Sequence, residues 1–128
     1  MSLRVEIIPC RTDNYSYVCI DSENNAFVVD PSEFIPVDDF IKKNNLNLKY
    51  ILNTHHHFDH VGGNIELKEK YGAKIVGNKN DKDRIPGIDI CLMEGEFFKF
   101  NKYKAEIIDI PGHTIGHIAF HIQSENIV

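Results

Sequence analysis

Residues Thr54–Asn64 read THHHFDHVGGN, directly after the apolar run Tyr50-Ile51-Leu52. Four of the chain's seven histidines and a carboxylate thus fall within seven residues at the end of a short strand of buried type. In an extended segment residues i and i+2 point to the same side, so His55 and His57 can approach one metal ion while His56 points away from it. Asp59 and His60 follow after the chain has begun to turn, and offer an oxygen and a nitrogen to a second ion beside the first. Zinc takes such ligands at roughly 2.0–2.2 Å and its catalytic sites keep one position for water. Two ions about 3.5–4 Å apart can share a bridging hydroxide. A solvated polar loop is the plain explanation for one lone histidine. Matched sides, an adjacent carboxylate, a preceding apolar strand and a following Gly62-Gly63 together favour a metal site.

Working outward, Gly62-Gly63-Asn64 leads into helical periodicity over Ile65–Tyr71, stopped by Gly72 and followed by a strand over Ala73–Val76. The cluster therefore occupies the first loop of a strand, helix, strand unit. Upstream, Leu3–Ile8, Tyr15–Ile20 and Asn25–Val29 read as strands of an antiparallel meander, with Thr12-Asp13-Asn14 turning between the first two. Phe34, Val37, Phe40 and Ile41 recur at helical spacing up to Asn44. Asp30, before Pro31, is either a carboxylate that orients a ligand from behind or a plain turn residue.

Downstream, Asn78–Asp89 is polar and reads as an irregular loop. Glu96–Phe100, Tyr103–Ile110 and His117–Ile122 read as strands, and Glu125–Val128 as the opening of another. His113, in the loop Pro111-Gly112-His113-Thr114 after a buried strand, is placed to give the first ion a third nitrogen. His117 and His121 alternate with Ile118, Phe120 and Ile122, which suits polar-face residues. Strands, then alternating helix and strand, then strands again imply an α/β layered sandwich with mixed sheets.

A chain of 128 residues, 42% hydrophobic and 26% charged, is sized for one core. A net charge of −5 argues against nucleic acid or an anionic membrane as the main partner. The N-terminus lacks the apolar core of a signal peptide, and no stretch approaches the roughly 20 apolar residues of a membrane span, so the expected location is cytoplasmic. Cys10, Cys19 and Cys91 form no CxxC pair and read as buried free thiols.

The residues quoted above resemble the metallo-β-lactamase superfamily, whose HxHxDH signature corresponds to His55–His60. Within it the sequence resembles glyoxalase II, the hydroxyacylglutathione hydrolases, through TDNYSY at 12–17, VDP at 29–31, THHHFDHVGGN at 54–64 and PGHTIGH at 111–117. The resemblance implies an αββα sandwich with mixed sheets. It makes His55, His57 and His113 ligands of a first metal and Asp59 and His60 ligands of a second, with Asp59 also positioning the attacking hydroxide. It further implies a pair of metals, commonly zinc with iron or manganese as alternatives, and hydrolysis of the glutathione thioester S-D-lactoylglutathione to D-lactate and glutathione.

Members of that family continue with an aspartate bridging both metals, a further histidine, and a helical segment that contacts glutathione. The expectation is therefore a single partial domain over 1–128, truncated after roughly the first two-thirds of the catalytic domain. Such a chain would hold one zinc or none tightly, have impaired activity in isolation, and present an open sheet edge for self-association or a complementing C-terminal fragment. Two competing expectations are a mononuclear iron persulfide dioxygenase of the same superfamily and a non-catalytic remnant or metal-binding half-subunit that needs a complementary polypeptide.

Overall fold

The computed structural model describes residues 3–10, 14–54, 61–85, 87–109, 118–125 and 127. Six strands form a first sheet in chain order: β1 (Arg4–Cys10), β2 (Asn14–Ile20), β3 (Asn25–Val29), β4 (Asn47–Leu52), β5 (Lys74–Asn78) and β6 (Ile90–Leu92). The first three pair antiparallel, as the meander pattern predicts, and β3 to β6 pair parallel. Parallel neighbours need crossovers. Helix α1 (Phe34–Lys43) links β3 to β4, and α2 (Asn64–Tyr71) links β4 to β5. A second sheet holds β7 (Phe97–Phe100), β8 (Tyr103–Asp109) and β9 (Ile118–His121), all antiparallel.

Alternation along the strands makes two cores. Val18, Ile20, Val28, Ile51 and Ile75 point to α1 and α2, where they meet Val37, Ile41 and Leu67. Cys19, Phe27, Leu52 and Val76 point the other way, onto Phe98, Phe100, Ile107, Ile118 and Phe120 of the second sheet. There the rings pack edge to face, Phe27 against Phe100 at 4.9 Å and Tyr50 against Phe98 at 5.0 Å between centroids. Such pairs add roughly 0.5–1.5 kcal/mol beyond area burial. The result is helix, sheet, sheet, three layers of the expected αββα sandwich. On that same face of β1 and β2, Val5, Ile7, Tyr15 and Tyr17 are exposed.

Several boundaries differ from the sequence expectation. β1 runs on to Cys10 rather than stopping at Ile8. Pro9 is tolerated because β1 is an edge strand, where a missing N–H breaks no central ladder. β4 begins at Asn47, and β6 pairs with β5 just after the stretch expected to be an irregular loop. Within that stretch Lys79–Asp81 forms a single 3-10 turn. Cys10 and Cys19 are buried as expected, whereas Cys91 on β6 is half-buried. Of the expected terminal strand, Ile127 forms an antiparallel bridge with Ile122. Among the described residues no helix is long and apolar enough to cross a membrane.

Candidate metal centre

The expected donors His55, His57, Asp59, His60 and His113 lie outside the described residues, as do His56 and His117. The structure describes what they are attached to. The segment 55–60 leaves β4 through Asn53 and Thr54 and returns through Val61 toward α2. Asn53 N–H bonds Val76 O at 2.9 Å, so the ladder with β5 extends one residue past the strand.

Thr54, the residue before His55, is held from two directions. Its N–H donates to Asp30 Oδ1 at 2.8 Å and its hydroxyl to Asp30 Oδ2 at 2.6 Å. Its carbonyl accepts Ile118 N–H at 2.8 Å. Ile118 is the first described residue after the segment 110–117, which contains His113. The Thr54–Ile118 bond therefore ties the residue before the segment 55–60 to the residue after the segment 110–117.

Asp30 follows β3 with φ 52 and is only 6% exposed. Asp tolerates this left-handed conformation better than most residues, because its short polar side chain bonds locally. Its N–H donates to Leu52 O at 2.8 Å and its carbonyl accepts the Ser16 hydroxyl at 2.8 Å. The Ser16 oxygen in turn accepts Ser32 N–H at 3.3 Å and lies 3.3 Å from Cys10 Sγ. Of the two roles the sequence left open for Asp30, a plain turn residue does not fit: its carboxylate fixes the backbone that leads into the histidine cluster.

Sequence reasoning missed a second buried connection. Asn53 Nδ2 donates to Asn64 Oδ1 at 3.3 Å, and Asn64 Nδ2 donates to Asn53 Oδ1 at 2.6 Å. The available signal was a polar residue closing an apolar strand and another opening a helix, one on each side of the cluster. Gly63 is explained by close approach: its N–H bonds Pro31 O at 2.8 Å, and a Cβ there would lie 3.0 Å from the Glu33 carbonyl carbon.

Helix α2, where the first loop ends, is fastened to α1 through Asp38. Lys70 Nζ lies 2.7 Å and Lys42 Nζ 3.4 Å from this buried carboxylate, which also accepts the Tyr71 hydroxyl. Burial opposes ionisation of Asp38, but the hydrogen bonds from Lys70, Tyr71 and Lys42 outweigh it and hold the carboxyl below its ordinary range. Burial, then the bond to Asp38, raises the Tyr71 phenol.

Beside Thr54 and Asp30 opens a cavity of about 280 Å³, lined also by Tyr17, Val29, Ile118 and Phe120. Among the described residues no three His, Cys, Asp or Glu side chains are grouped to hold a metal. His121 pairs across the ladder with Glu106, both half-buried, which agrees with the polar-face expectation. The residue types at 55–60 and 113 are those zinc accepts, and the bond between Thr54 and Ile118 ties the residue before the first segment to the residue after the second. By residue type the expected donors fit a metal ion.

The hydroxyacylglutathione hydrolase of Pelagibacter ubique (strain HTCC1062) is 53% identical over 127 residues, which cover 98% of this chain and 53% of that protein. The hydroxyacylglutathione hydrolase of Methylococcus capsulatus (strain ATCC 33009 / NCIMB 11132 / Bath) is 43% identical over 124 residues, 96% of this chain and 48% of that one. The chain spans about half the length of the curated relatives it matches. Among solved structures, the B3 metallo-beta-lactamase BLEG-1 superposes with a TM-score of 0.86 at 20% identity, over 95% of this chain and 68% of that one. ETHE1 from Myxococcus xanthus gives 0.78 at 23% identity, over 95% and 54%. These superpositions bear out the α/β sandwich. A model of the metallo-beta-lactamase superfamily matches residues 10–128, from the end of β1 through both donor loops, and the chain belongs to that superfamily.

Proposed function

We propose that this chain is the metal-binding part of a metal-dependent thioester hydrolase of the hydroxyacylglutathione hydrolase type, which converts S-D-lactoylglutathione and water to D-lactate and glutathione. The observation that supports the site is the junction at Thr54, the residue before 55–60, whose carbonyl accepts the N–H of Ile118, the residue after 110–117. The substrate class rests on the relatives that carry that name.

In this proposal His55, His57 and His113 hold the first ion, and Asp59 and His60 belong to a second. The ion, zinc in the first instance with iron or manganese as alternatives, supplies Lewis acidity and lowers the pKa of water to about 7. Asp59 orients the attacking oxygen. Asp30 and Thr54 keep the entry to the loop in one conformation, so that the imidazoles do not have to be ordered when substrate binds. The leaving thiolate has a conjugate-acid pKa of about 8.5, as for cysteine, and departs with little proton assistance. Three nitrogens form a workable zinc shell.

The test is metal content per chain and loss of the thioester absorbance of lactoylglutathione, measured on one zinc-loaded sample. One equivalent of zinc that survives gel filtration, and falls to background in His55→Ala, is expected. Slow hydrolysis is expected, rising when a polypeptide bearing the second half of a relative is added. Zinc retention unchanged by His55→Ala would defeat the assignment. A single ferrous ion with oxygen uptake would transfer the chain to the persulfide dioxygenase class.

A further inference from the structure

Asn53 and Asn64 are both 0% exposed, and their side-chain amides bond each other reciprocally at 3.3 and 2.6 Å. Asn53 precedes Thr54, and Asn64 is the first residue of α2. The pair therefore joins the two ends of the segment 54–63 that bears four of the five expected donors.

An amide carries both a donor and an acceptor, so two facing amides satisfy each other in a way no apolar or carboxylate substitute reproduces. Such a buried polar pair yields little net stability, because burying the groups costs about what their bonds return. Its value lies in geometry. Leucine side chains slide, but two amides bonded twice fix distance and angle together.

We propose that the Asn53–Asn64 pair is a positioning device for the metal centre: it fixes the separation of the two residues that flank the expected donors at 55–60 before an ion arrives. This rests on the metal assignment proposed above, and the experiment separates the two. Asn64→Ala and the double variant Asn53→Leu/Asn64→Leu are compared with the wild-type chain and with His55→Ala.

The first measurement is amide hydrogen exchange in metal-free protein. Segment 54–63 should exchange about tenfold faster in Asn64→Ala, while β1, β2 and α1 keep wild-type protection. The second is zinc affinity by competition with a chromophoric chelator. Both asparagine variants should bind about tenfold or more weakly, the effect usual for residues that orient metal ligands. The leucine variant refills the volume, so it should remain folded and still lose affinity.

Wild-type zinc affinity in the leucine variant would show that the pair only fills space, and would overturn the proposal. Loss of protection throughout the molecule in Asn64→Ala, or wild-type exchange at 54–63, would overturn it as well. If zinc binding by the wild type and by His55→Ala is the same, the metal assignment itself fails, whatever the loop does.

Discussion

Asp30 grips Thr54 with both carboxylate oxygens, Oδ1 on the backbone N–H at 2.8 Å and Oδ2 on the hydroxyl at 2.6 Å. Removing the acceptor leaves a partly buried backbone donor without this bond, and a lost charge-assisted bond costs more than a neutral one. Asp30→Ala is expected to lower unfolding free energy by about 1–3 kcal/mol, and Thr54→Val, which keeps the backbone bond, by less. Urea titration of the two variants checks the order.

Two glycines on either side of α2 should fail differently. Gly63→Ala puts a Cβ 3.0 Å from the Glu33 carbonyl carbon and 3.1 Å from Phe34 N, where rigid backbone must move, at about 1–3 kcal/mol. It should also weaken zinc binding, since the loop moves with it. Gly72→Ala meets nothing within 4 Å and suffers only its φ of +69, a cost of roughly 1 kcal/mol with zinc affinity unchanged. Equal zinc affinity in the two variants would contradict this.

Acid should detach α2 from α1. The folded pKa of Asp38 is depressed, because its bonds to Lys70, Tyr71 and Lys42 outweigh the burial that opposes ionisation. The stability it contributes is complete above its unfolded pKa of about 3.9, and is lost as pH falls through the lower folded value. Asp38→Asn is therefore expected to destabilise the chain at neutral pH and to show a shallower decline of urea midpoint below pH ~4 than the wild type. Parallel declines would rule out Asp38 as a major contributor.

Burial pushes the Cys19 thiol up to about 12. Alkylation requires thiolate, so iodoacetamide at pH ~8, close to the free-thiol value, should leave Cys19 unmodified in the native chain and label it only after unfolding. Cys91, half-buried on β6, should react first. Peptide mass spectrometry distinguishes the sites.

Much of the fold was legible because strands buried on one or both faces write their pattern into the sequence. Asn25–Val29 and Phe34–Lys43 stand almost where periodicity puts them. β6 was illegible: three residues are too few to show alternation, and Ile90–Leu92 becomes a strand only by pairing with β5. Lys49 and Asn47 hid the start of β4 because their exposed side chains read as loop, although Leu48 between them is buried. Within the site, spacing nominated the expected donors, which lie outside the described residues. Asp30 could be nominated but not assigned, since its role depends on a partner 24 positions away. Asn53 and Asn64 could not be found as a pair, because each alone resembles any asparagine at the end of an element.

The bond from Ile118 N–H to Thr54 O also bears on the order of assembly. It links Thr54, two residues past β4 of the first sheet, to Ile118 on β9 of the second, and closing so long a loop is entropically costly. Contacts of this kind form late, after local hairpins such as β1–β2. Thr54 and Ile118 therefore meet only once the sheets have docked, and under the proposed metal assignment the capacity to bind metal should emerge in the last kinetic phase of folding and report that the sandwich has closed.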